Sequence, residues 1–162
     1  LTNFIPTQSS TLNPKWTGRN KQISKFIENN TNVLDLGCGS KDLLNYIRPK
    51  KYLGVDYKQP LCDIEINLNT NFILPNGPWD YLVASGVLEY LDNLEKFFST
   101  INSSSKKYIF TFWKLAHKSE SIKNKNLQSL EYTEKLIEKY FNVIDTDKFR
   151  NHVIFICKNK NV

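Results

Sequence analysis

The segment Val33-Leu34-Asp35-Leu36-Gly37-Cys38-Gly39-Ser40 constrains the fold most, because an apolar run ends in an acid and then in two glycines one residue apart. It predicts a buried strand that turns tightly beneath a ligand. Glycine takes positive φ without steric cost and lets the backbone approach a bound molecule, and a helix beginning after Ser40 aims its unpaired N–H groups at the same point. Leu53-Gly54-Val55-Asp56 repeats the pattern of an apolar strand closed by a carboxylate, with Asp56 standing 17 residues past Gly39. That spacing suits one helix and a second, parallel strand. Acids at two neighbouring strand ends suggest a nucleoside ligand.

The rest of the chain continues the alternation of strand and helix. Residues 1–14 are polar, carry Pro6 and Pro14 and show no periodicity, so a loose arm or cover is expected over 1–18 and a single domain over 19–162. Ile23, Phe26 and Ile27 predict an amphipathic helix over 19–29, and Leu43, Leu44 and Ile47 a short one over 41–47. Strands are expected at 32–36, 51–55, 61–64, 79–85 and 108–113, and helices at 88–101 and 130–140. The run from Trp79 to Ser85 is apolar on both faces, as a central parallel strand must be. Lys114 to Ser129 is long and polar, a loop or lid. The short connection between 142–146 and 152–157 predicts a terminal antiparallel hairpin. The fold class is therefore α/β: a Rossmann-like, doubly wound sheet of about seven strands, mostly parallel, with helices on both faces.

Composition narrows the function. At 162 residues and 40% hydrophobic the chain suits one packed domain. The formal charge of +6 is spread over short lysine runs and reads as a solvated surface, although attraction to an anionic partner stays open. Cys38, Cys62 and Cys157 lack CxxC spacing, so neither a disulfide scaffold nor a metal site is expected. No apolar stretch reaches the roughly 20 residues that span a bilayer, and the start has no hydrophobic signal core. A reducing cytoplasm is the expected compartment. The chain begins with Leu1 and contains no Met, which predicts a trimmed N-terminus.

Asp35-Leu36-Gly37-Cys38-Gly39, Gly54-Val55-Asp56, Cys62-Asp63-Ile64 and the block from Trp79 to Leu91 stand in the order of four motifs of the class I S-adenosylmethionine-dependent methyltransferases. Over residues 20–158 the sequence resembles that family. The resemblance implies S-adenosylmethionine as cofactor and S-adenosylhomocysteine as product. It implies that Gly37, Cys38 and Gly39 pass beneath the methionine part, that Asp35 holds its ammonium, and that Asp56, followed by Tyr57, accepts from the ribose hydroxyls. Asp63 would accept from the adenine amino group, Ile64 would pack on the ring, and Ser85, Gly86 and Leu88 would line the turn near the sulfonium. Two positions depart from the pattern: Lys41 stands where many members carry a third glycine, and Tyr90 where many carry histidine.

The acceptor is not legible. The Leu88-Glu89-Tyr90-Leu91 block resembles the metabolite-methylating branch, which favours a small molecule, with RNA or protein acceptors as the alternative. No Asn/Asp-Pro-Pro-aromatic sequence follows the fourth strand, which counts against methylation of nucleic-acid bases. Tyr90, Lys114 and His117 are candidate acid/base groups, with Trp16 and Arg19 in the covering segment; Glu89 reads equally well as a helix-start glutamate. A non-catalytic scaffold of the same fold is the rival reading. A nicotinamide-dependent oxidoreductase would want glycine at position 42, which is Asp42.

Overall fold

In the computed structural model, residues 14–114 and 129–160 are described. Three α-helices, α1 (Pro14–Ser24), α2 (Leu94–Ile101) and α3 (Leu130–Tyr140), flank seven strands: β1 (Asn32–Leu36), β2 (Lys51–Asp56), β3 (Ile64–Glu65), β4 (Trp79–Ala84), β5 (Ser105–Trp113), β6 (Phe141–Phe149) and β7 (His152–Asn159). They form one sheet in the order β3-β2-β1-β4-β5-β7-β6. The first five strands are mutually parallel, while β7 runs antiparallel to both β5 and β6. This is the Rossmann-like, mostly parallel sheet with a terminal hairpin that the alternation predicts.

Strand alternation assigns each residue to one of two cores. Leu34, Leu36, Leu82, Ala84, Phe110 and Phe112 face α2 and α3, where they meet Phe97, Phe98, Ile101, Leu136 and Ile137. Val33, Tyr81, Val83, Ile109, Ile154 and Ile156 face α1 and a 3-10 turn at Asp42–Asn45, where they meet Ile23, Ile27, Leu43 and Ile47. Further along the α1 face, toward the carboxyl ends of the strands, the same period places Asp35, Asp56, Ser85, Thr111 and, on β7, His152. One face thus changes from apolar to polar as it approaches the edge where doubly wound sheets bind ligands.

Several elements differ from expectation for local reasons. Helix α1 begins at Pro14 rather than at residue 19, because proline suits a first helical turn, so the expected boundary between 18 and 19 falls inside the helix. The helix expected over 88–101 divides into a 3-10 turn, Leu88–Tyr90, and α2, because the Asn93 side chain caps α2 by accepting the Lys96 N–H at 2.9 Å. The helix expected over 41–47 is reduced to its 3-10 turn. Strand β3 lies at 64–65 instead of 61–64 and pairs only with Val55 and Asp56. The chain therefore retraces little distance between β2 and β3, and seven residues, 57–63, make a connection that ordinarily needs a helix. The expected loop over 114–129 lies, beyond Lys114, mostly outside the described residues. Among the described residues no helix is long and apolar enough to cross a membrane.

Phe98 is fully buried, with ring centroids 5.2 Å from Phe110 and 5.7 Å from Phe141. Phe98→Ala is expected to lower unfolding free energy by about 3–5 kcal/mol, read as a reduced urea midpoint at unchanged m-value.

Candidate active site

The loop leaving β1 is fixed by its backbone. The N–H groups of Gly37 and Cys38 both donate to the carbonyl of Val55, at 2.7 and 3.1 Å, and the Gly39 N–H donates to Asp56 Oδ2 at 2.7 Å. Gly37 and Gly39 hold φ of +76° and +52°, the left-handed region that glycine enters freely. A Cβ on Gly37 would lie 2.2 Å from the Val87 side chain, whereas one on Gly39 would meet nothing within 4 Å. Gly39 therefore opens onto free space beside the Asp56 carboxylate. Asp56 Oδ1 also accepts the Tyr57 N–H at 2.6 Å, and burial still raises its pKa against these two bonds.

Asp35 lies behind the loop, almost fully buried, and accepts the Tyr52 hydroxyl at 2.6 Å. Burial is the main cause that lifts its pKa to about 7; the Tyr52 bond opposes it and the Asp56 charge adds to it. Gly54 sits between the two acids, and a side chain there would strike Cys38 Sγ at 2.8 Å and Lys41 Cε at 3.1 Å. Burial also raises the pKa of the Cys38 thiol, keeping it an inert apolar group.

Asp63 stands before β3, with Oδ2 accepting the Gly54 N–H at 2.8 Å and Oδ1 paired with Lys41 Nζ at 2.5 Å. Burial opposes its ionisation, but Lys41 and the Gly54 N–H outweigh that and hold its pKa below the ordinary value. Lys41 keeps the left-handed backbone of a glycine, φ +59°, and its stem crosses the space over Gly54. Ile64 is partly exposed on β3, and Tyr57 is exposed where β2 ends. At the carboxyl end of β3, Asn67 accepts the Asn69 N–H at 3.0 Å.

The turn after β4 is built around Arg19 of α1. Its Nε donates to Ser85 Oγ at 2.8 Å, Nη2 to the Ser85 carbonyl at 3.3 Å, and Nη1 lies 3.3 Å from His152 Nε2. Burial, then the Arg19 charge, lower the His152 pKa to about 4, so the ring is neutral and Nε2 accepts. Burial likewise lowers the Arg19 pKa, opposed first by Glu89. Gly86, at φ +69°, donates its N–H to Thr111 Oγ1 at 2.8 Å, and a Cβ on it would meet the Arg19 guanidinium at 2.6 Å. Asn20 joins the cluster by donating to Asp42 and accepting from Ser85 Oγ.

Glu89 follows this turn and is buried, unlike an exposed helix-start glutamate; its Oε1 accepts the Trp113 N–H at 2.5 Å. Leu88 packs in the apolar core beside Leu91, and Tyr90 is 43% exposed at the rim. Trp16 is exposed on α1, and the Lys114 N–H donates to the carbonyl of Asn151. His117 lies outside the described residues. The fold thus gathers Asp35, Gly37, Cys38, Gly39, Asp56, Ser85 and Gly86 at one edge. The polar cluster around Arg19 has no local sequence signal, since its contacts span 66 and 133 residues. Glu89 does carry one: an acid inside the apolar Val87-Leu88 and Leu91 frame.

A family model described as a methyltransferase domain matches residues 11–142. A protein from Pyrococcus horikoshii shares the fold with TM-score 0.73 at 16% identity over 97% of each chain. A SAM-dependent methyltransferase from Aquifex aeolicus gives TM-score 0.66 at 16% identity, over 91% of this chain and 94% of that one. The magnesium protoporphyrin IX methyltransferase of Synechocystis, solved with bound SAH, gives TM-score 0.66 at 12% identity, over 94% and 90%. A search of curated proteins gives no match.

Because folding lifts the Asp35 pKa from 3.8 to about 7, the folded chain keeps a proton between pH 4 and 7 that the unfolded chain has released. The stability held by the protonated carboxyl is complete below about pH 4 and is lost as pH rises through 7, on the order of 4 kcal/mol in all. Asp35→Asn is expected to flatten that decline in urea titrations run from pH 4 to 8.

Proposed function

We propose, from the premise that the chain belongs to the class I S-adenosylmethionine-dependent methyltransferase family, that it passes the methyl group of S-adenosylmethionine to a small-metabolite acceptor and releases S-adenosylhomocysteine. The observation that carries the cofactor reading is the open space at Gly39 beside Asp56. Each Asp56 oxygen accepts one backbone N–H and keeps lone-pair capacity for one hydroxyl of a ribose diol. Asp35, neutral below pH 7 when buried alone, ionises to meet the cofactor's ammonium, so cofactor binding releases a proton in that range.

Gly37 and Cys38 give the methionine part a backbone floor, and Ser85 and Gly86 a side wall, while Leu88 is packed in the apolar core. Tyr57 and Ile64 offer apolar surface to the adenine, and Asp63, steadied by Lys41, an acceptor for its amino group. The bound cofactor supplies an activated methyl on a sulfonium, so the chain's own task is alignment and exclusion of water. Of the segment expected as a cover, residues 1–13 lie outside the described residues and residues 14–18 belong to α1. Tyr90 and Lys114 stand at the acceptor side of the β4 and β5 ends, and His117 belongs to the segment that follows.

A small acceptor, rather than RNA or protein, is supported by the placement of charge. Lys106, Lys107, Lys158 and Lys160 lie at the far end of the sheet, where β5 begins and β7 ends. The mouth is instead flanked by the buried Asp35, Asp42 and Glu89 around one buried arginine. The soluble, reducing cytoplasm is the compartment that suits three unpaired cysteines.

Calorimetric titration with S-adenosylmethionine, S-adenosylhomocysteine and NADH tests the reading. Micromolar binding of the first two and none of NADH is expected, and Asp56→Ala is expected to weaken both by about ten- to a hundredfold. Unchanged affinity in a folded Asp56→Ala chain removes that residue from the site, and absence of binding to the wild type overturns the cofactor assignment.

A further inference from the structure

Glu89 is a buried ionisable side chain at the mouth to which the cofactor reading gives no role. It follows the Ser85–Gly86 turn and is 5% exposed. One oxygen, Oε1, is committed to the Trp113 N–H, which stitches the turn to the end of β5. The other, Oε2, is buried and has no hydrogen-bond partner among the described residues. Arg19 and Tyr90 lie within electrostatic reach, yet no ion pair joins Arg19 to Glu89 among the described residues, and Arg19 is turned toward Ser85 and His152 instead. A buried carboxylate oxygen left unpaired is costly, and a carboxylate only accepts, so the group that completes it must bring an N–H or O–H.

The surroundings select between donors. The Trp113 backbone N–H holds one carboxyl oxygen, Tyr90 stands exposed at the rim, and burial raises the Glu89 pKa, so a cationic donor such as an ammonium is the partner that would hold the group ionised. Resting on the methyltransferase reading above, we propose that Glu89 Oε2 is the acceptor-binding anion of the site and that the acceptor presents an amine nitrogen to it. Tyr90 supplies the aromatic wall at the position where many relatives carry a titratable ring.

Glu89→Gln keeps an oxygen for the Trp113 N–H and so spares the stitch, while replacing the charged oxygen with a donor. The test uses the full chain saturated with S-adenosylhomocysteine, titrated with n-butylammonium, 1-butanol and butyrate while the Trp113 backbone amide is followed by NMR. Butylammonium is expected to shift that amide saturably in the millimolar range, butanol and butyrate to leave it unmoved, and Glu89→Gln to weaken the ammonium response at least tenfold with S-adenosylhomocysteine affinity unchanged. An equal response to all three probes, a preference for butyrate, or an unaltered ammonium response in Glu89→Gln overturns the assignment while leaving the cofactor reading intact. A wild-type chain that does not bind S-adenosylhomocysteine overturns both.

Discussion

The Gly39 amide reaches Asp56 because Gly39 holds a left-handed backbone and because β2 ends where its carboxylate meets the loop from β1. With Gly37 and Cys38 both bonded to Val55, that contact makes three hydrogen bonds from one loop to one strand end. Such bonds contribute about 0.5–1.5 kcal/mol each, but their larger effect is geometric. They fix the separation of two acids and leave the outer face of Gly39 bare. A side chain on Gly54 would collide with the Cys38 thiol that this arrangement places over it, so the glycine at 54 follows from the pair at 37 and 39.

Sequence periodicity carried the sheet well and the mouth unevenly. Val33 and Leu34, or Val83 and Ala84, are hydrophobic on successive residues because both faces of a central strand are covered, and that pattern is local. Asp35, Asp56 and the Ser85–Gly86 turn were legible for the same reason: each closes such a run. Arg19 was not, because its partners lie in β4 and β7 and nothing in α1 distinguishes it from a solvated cation. Pro14 misled in the opposite direction, since proline both ends and begins helices. The 3-10 turn at 42–45 was expected to be a longer helix, but Lys41 enters it from the left-handed region.

The α1 face divides its polarity along the strands. Near the amino ends it is Val33, Tyr81 and Ile109; near the carboxyl ends it is Asp35, Ser85 and Thr111, with His152 from the antiparallel neighbour. Helix α1 spans both regions, so Ile23 secures it in the apolar part while Arg19 and Asn20 are satisfied in the polar part. Burying that many polar groups is tolerable only because most are paired; Thr17 Oγ1, Glu89 Oε2 and His152 Nδ1 are the buried side-chain atoms left without a hydrogen-bond partner among the described residues.

Lys41 and Asp63 close the side of the site where β2 and β3 are joined without a helix. A packed helix there would owe its rigidity to apolar contact, which added salt strengthens or leaves alone. A partly exposed ion pair, 23% and 36% accessible, weakens as salt is added. The Asp63 end of the cleft is therefore held by a fastening whose tension the surrounding ionic strength adjusts, while the Gly37–Gly39 end, built on backbone hydrogen bonds, is insulated from it. One molecule thus has a wall that responds to its solvent and a floor that does not.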